Sequence, residues 1–117
     1  MAILSNNEKA FIEPAKIRDY ILSPTHPIGR FKALLFKTMG YSQENWEQLI
    51  DDIRLYHLPL DAEPVEKSKY GQKYTIRGLI KGPNGKIVMF RSIWIILEGE
   101  DIPRFITIYP EGGRHEI

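Results

Sequence analysis

The apolar positions of this chain change period near residue 70. Upstream they recur every three or four residues, the spacing of helices with one buried side. Ile17, Tyr20 and Ile21 follow Pro14 at i, i+3, i+4 and predict a short helix from Ala15 to Leu22. Pro24 and Pro27 forbid its continuation. A second helix is predicted from Ile28 or Gly29, with Phe31, Leu34, Leu35 and Met39 as its buried stripe and Gly40 as its C-terminal cap. Lys32 falls on the flank of that stripe. Ser42 suits the N-cap of a third helix, with Glu44 in its first turn and Trp46, Leu49, Ile50 and Ile53 on its core side. This helix should fray at Tyr56 and His57, ahead of Pro59.

Downstream the period is two. Tyr74, Ile76 and Ile80 share one face of a strand, and Lys73, Thr75, Arg77 and Lys81 share the other. Gly82-Pro83-Asn84-Gly85 carries turn chemistry. Lys86 to Leu97 is almost wholly apolar, the signature of a central strand covered on both faces, interrupted by Arg91 and Ser92. Glu98 to Asp101 makes a second reversal, and Arg104 to Tyr109 follows Pro103 as a third strand. The expected fold is α+β, with N-terminal helices packed on one face of a C-terminal antiparallel meander. It is expected as one domain over 1–117: helical part about 14–57, sheet part about 62–110, polar tail 111–117. Residues 1–12 read as a polar leader whose Phe11 and Ile12 dock, and Val65 marks a short edge strand in the connector.

Composition narrows the chemistry. With no cysteine, disulfides, thiolate nucleophiles and cysteine-based zinc sites are excluded. No secretory pattern opens the chain and no apolar run is long enough for a bilayer, so a cytoplasmic protein without a membrane partner is expected. The net charge is only +1, but its distribution is uneven. From Lys67 to Leu97 the cations are Lys67, Lys69, Lys73, Arg77, Lys81, Lys86 and Arg91, with no Asp or Glu among them. Such a stripe suits a polyphosphate ligand, with Lys73, Arg77 and Arg91 as its binding residues on the uncovered sheet face. Strand lysines also discourage edge-to-edge pairing, which needs no ligand.

His26, His57 and His115 are not spaced as metal ligands, so no metal and no cofactor is expected. His57 reads as a partner for a helix C-terminus and His115 as a solvated tail residue. His26 lies in a proline-held loop before a helix, where an imidazole could move protons beside a bound phosphate. Nucleophile elbows and phosphate-binding glycine loops are absent. A metal-free set remains: His26, Lys32, Arg91, Arg104, Thr107 and Tyr109. Metal-independent RNA cleavage uses such groups: one takes the proton of the 2′-hydroxyl, and cations stabilise the charged phosphorane.

His26-Pro-Ile-Gly-Arg-Phe-Lys32-Ala, Tyr70-Gly-Gln-Lys-Tyr74, Gly82-Pro-Asn-Gly85, Ile93-Trp94 and Pro103-Arg-Phe-Ile-Thr107-Ile-Tyr109-Pro110 occur in this order. Together they resemble an uncharacterised family of small bacterial toxin-like domains with patterns such as HxxGxxKAxxF, YGxKY, GPxG, VW and PRLVTAYP. The resemblance covers roughly Phe11 to Pro110, and the family's layout is similar to the barnase–EndoU–colicin–RelE ribonucleases. It implies a ribonuclease-like domain, the toxin of a toxin–antitoxin-type pair, with RNA as substrate and a small acidic antitoxin-like protein as partner. Its catalytic residues would be His26, Lys32, Arg104, Thr107 and Tyr109: His26 transferring the proton, Lys32 and Arg104 holding phosphate, Thr107 and Tyr109 orienting it. The competing expectation is a non-enzymatic module that holds a partner protein on its sheet.

Overall fold

The computed structural model describes residues 2–111. Their elements run β1 (Ala2–Ile3), α1 (Pro14–Lys16, continued by a wider π turn over Ile17–Ile21), α2 (Arg30–Thr38), α3 (Trp46–Tyr56), β2 (Asp61–Ser68), β3 (Gly71–Lys81), β4 (Ile87–Leu97) and β5 (Arg104–Pro110). This is an α+β fold. The sheet has the order β1-β2-β3-β4-β5, and all neighbouring strands are antiparallel. Tyr74, Ile76 and Ile80 share a face with Trp94, Ser92 and Val88, their partners across β3 and β4. Ile76, Ile80, Phe90, Trp94, Phe105 and Ile108 meet Ile17, Ile21, Phe36, Leu49 and Ile53 from the helices in one hydrophobic core.

The leader does more than dock. Ala2 and Ile3 pair with Ala62 and Asp61 at one edge of the sheet, while Phe11 pairs in parallel with Arg104 at the other. The Phe11 N–H donates to the Pro103 carbonyl at 2.8 Å, and the Phe105 N–H donates to the Phe11 carbonyl at 2.9 Å. Residues 4–10 therefore cross between the two edges, burying Leu4 and Ala10 on the way. A strand of two residues has too few positions to show a period, which is why it reads as leader. The edge strand expected near Val65 spans all of β2, and its register shifts between Pro64 and Glu66.

Two packing expectations are corrected, and one helix differs in form. In α2 the buried residues are Ala33 and Phe36, with Met39 at the cap, whereas Phe31 and Leu34 are 64% and 62% exposed. The segment offers two apolar stripes, and periodicity cannot choose between them. The core chooses Phe36, whose ring stacks on Phe90 at 5.0 Å. β4 is not covered on both faces: Ile93 and Ile95 are half-buried on the side away from the helices, and Ile87 is exposed. Helix α1 begins at Pro14 and widens after one turn, the Leu22 N–H reaching back to the Ile17 carbonyl at 2.9 Å. The extra residue lets Ile17, Ile21 and Leu22 all face the core.

The turn after β3 is itself packed. The Asn84 side chain donates to the Thr38 carbonyl at 2.6 Å and its N–H to the Met39 carbonyl at 3.2 Å. The orphan carbonyls at the end of α2 are thereby satisfied. Among the described residues, no helix is long and apolar enough to cross a membrane.

Candidate functional site

His26 precedes α2 and orders the turn that leads into it. Its Nδ1 accepts the N–H groups of Ile28 at 3.0 Å and Gly29 at 3.1 Å. An Nδ1 engaged by two donors carries no proton, so the ring proton sits on Nε2. Tyr20 packs edge-to-face against the imidazole, with centroids 4.7 Å apart. The loop can close this tightly only because Gly29 has no side chain: a Cβ there would lie 2.0 Å from the Tyr20 carbonyl oxygen.

Lys32, on the first turn of α2, reaches the edge strand. Its Nζ donates to Thr107 Oγ1 at 2.8 Å and lies over the Tyr20 ring, 5.4 Å from the centroid. Thr107 is aimed by a bulge: Ile93 opposes Thr107 and Trp94 opposes Phe105, leaving Ile106 as the extra residue. Lys16, one turn before Tyr20, donates to the Phe105 and Ile106 carbonyls flanking that bulge, at 3.4 Å each. Half-burial holds the Lys32 ammonium below the usual lysine range. No carboxylate among the described residues pairs with it. His26, Lys32 and Thr107 thus join one cluster around Tyr20.

Arg104 and Tyr109 make no hydrogen bond to that cluster among the described residues. Arg104 is exposed and donates to both carboxylate oxygens of Glu100, at 3.2 and 3.3 Å. Tyr109 lies opposite Arg91, which lies opposite Arg77, in one row on the open face. The basic stripe has acidic partners after all. Lys73 pairs with Glu66 at 3.6 Å, and the Glu111 carboxylate bridges Arg77 and Arg91. These partners come from other strands or from beyond β5, so the local sequence around each cation does not show them. Partial desolvation pushes the Glu111 carboxyl up, but hydrogen bonds from Arg91 and Arg77 hold it below the usual glutamate range.

His57 ends α3, but its ring does not serve as the partner of the helix C-terminus. It is wholly buried under β3 and β4, with Nδ1 2.7 Å from Ser92 Oγ and Nε2 3.0 Å from the Gly78 carbonyl. A carbonyl can only accept, so Nε2–H donates to Gly78 and Nδ1 accepts the Ser92 hydroxyl proton. Ser92 in turn accepts from the Trp94 indole N–H at 2.8 Å. Burial lowers the His57 pKa, outweighing the Gly78 hydrogen bond, which raises it. Ser92 and His57 stand as close as a nucleophile and its base, but both are wholly buried, and no substrate reaches them. His115 lies outside the described residues.

A family model described as a domain of unknown function, DUF6883, matches residues 3–112, almost the full chain. The chain belongs to the DUF6883 family. Searches of curated proteins and of solved structures found no match. Membership carries no activity with it, so the function of this DUF6883 chain rests on its geometry. That geometry explains why the first pattern of the resemblance holds together: His26 orders the turn before α2, Gly29 allows close approach, Lys32 meets Thr107, and Ala33 and Phe36 enter the core. Sequence reasoning missed Lys16 and Tyr20 as members of the cluster. Their i, i+4 spacing is the available signal, but Tyr20 equally fits a core stripe with Ile17 and Ile21.

Proposed function

We propose that this DUF6883 domain is a metal-independent ribonuclease-like unit whose working groups gather around Tyr20. The observation that carries the reading is the meeting of His26, Lys32 and Thr107 from two distant segments at a half-buried spot where, among the described residues, no carboxylate pairs with Lys32. Lys32, rather than His26, is the proton-transfer group of this proposal. A desolvated lysine reaches its neutral, basic form more readily, whereas the His26 Nδ1 lone pair is taken by backbone N–H groups. The neutral Lys32 amine accepts the 2′-hydroxyl proton. The 2′-oxygen then bonds to phosphorus, and the 5′-oxygen leaves with a proton from water. The His26 Nε2–H and the Lys16 ammonium act on the non-bridging oxygens, and Thr107 orients Lys32.

The test is cleavage of single-stranded RNA by the purified chain with EDTA present. Lys32→Ala should lower the rate by roughly 100-fold, the usual scale for losing an acid or base, while EDTA leaves wild type unchanged. Wild type that cleaves no RNA across a broad panel, or that loses nothing with Lys32→Ala, rules the reading out.

One observation favours a second reading, a module that holds a partner protein. Phe31 and Leu34 stand exposed on the outer side of α2, and Ile28 is exposed in the turn before it. Inactive wild type that gains a partner through this side would support it.

A further inference from the structure

The open face of the sheet holds a second cluster, apart from the Tyr20 group. Arg77 and Arg91 stand directly opposite each other on β3 and β4. Like charges in that position destabilise a sheet. Glu111, the residue after β5, lies between them, its N–H donating to the Met89 carbonyl at 2.9 Å. One carboxylate oxygen accepts from Arg77 Nε, and the other is 3.0 Å from Arg91 Nε and 2.9 Å from Arg91 Nη2. Arg91 Nη1 donates onward to Thr75 Oγ1 at 3.4 Å. Nitrogens of both guanidinium groups therefore hold one planar anion, a donor set that also suits phosphate. The cluster is not a buried structural pair: Arg77 is mostly exposed, and an ion pair there contributes little to stability. A hollow of about 350 Å³ adjoins the arginines, lined by Leu60, Asp61, Glu63 and Thr75. It has room for the organic part of a phosphate ester, with carboxylates placed to accept from hydroxyl groups.

We propose that Arg77 and Arg91 form a phosphate-binding site whose occupant in the free protein is the chain's own Glu111. An incoming phosphate displaces the carboxylate, so Glu111 sets the threshold for binding. The site stands whether or not the chain cleaves RNA, because it shares no residue with the Tyr20 cluster.

Calorimetric titration of the full chain with inorganic phosphate and with a short single-stranded RNA tests it. Glu111→Ala should tighten binding about 10-fold by removing the tethered competitor. Adding Arg91→Gln to Glu111→Ala should abolish the gain, and adding Lys37→Ala, an exposed lysine outside both clusters, should leave it intact. Tightening for both ligands means free phosphate suffices, and tightening for RNA alone assigns the phosphate to a nucleotide chain. No tightening for either overturns the proposal and leaves an ion pair. Should Glu111→Ala fail to fold, the wild-type Arg77 and Arg91 Nε–H resonances must shift under excess phosphate, and unmoved resonances overturn it equally.

Discussion

In the sequence, His26 and His57 each lie near a helix end and within two residues of a proline, His26 ahead of a helix and His57 behind one. In the structure they occupy opposite circumstances. The His57 ring spends both nitrogens inside the protein, one on Ser92 and one on the Gly78 carbonyl. The His26 ring spends only Nδ1, on two backbone N–H groups, and its Nε2 makes no hydrogen bond among the described residues. The difference separates a histidine that builds the fold from one that can also meet a ligand. It turns on the count of committed ring nitrogens rather than on position in the chain.

The comparison breaks most visibly if His57 can be removed cheaply. His57→Ala should cost about 3 kcal/mol, because it leaves a cavity and deprives Ser92 and the Gly78 carbonyl of partners. Urea unfolding measures this, and a loss below about 1 kcal/mol would return His57 to the helix-end role. A smaller effect, with the ring still in place, is expected from pH. Burial lowers the folded-state pKa of His57 below its unfolded value, so protonation favours the unfolded chain. Stability should be flat above pH of about 6.5 and fall as pH drops below it, towards the depressed folded value. Thermal melts of wild type and His57→Gln from pH 7.5 to 5.5 check the sign, and the variant should lose that slope. The smallest effect belongs to His26→Ala, about 1 kcal/mol, the scale of a lost hydrogen bond in an exposed turn. A cost as large as that of His57 would mean that His26 is buried structure too.

The two faces of the sheet show the same division of what can be read and what cannot. Alternation along Lys73 to Lys81 placed Tyr74, Ile76 and Ile80 together, and β3 has them so. The boundaries of β4 and β5 and the core side of α3 were equally legible, because each follows from the period of its own residues. The candidate site was legible only as a set of residue types. That Lys32 should touch Thr107, 75 residues away, needs the bulge at Ile106 and the rotation of α2 chosen by Phe36. Neither leaves a mark on local spacing.

By itself, then, the order of amino acids determined the α+β layout, the turn at Gly82 to Gly85 and the absence of thiol chemistry, since these depend on backbone preference and composition alone. Tertiary structure decided which stripe of α2 is buried, how residues 4–10 link the two sheet edges, where His57 goes and which anion answers Arg77 and Arg91. Those outcomes depend on partners far apart in the chain. The free energy of burying or pairing a group is set by the neighbours it acquires, which only the folded arrangement brings together.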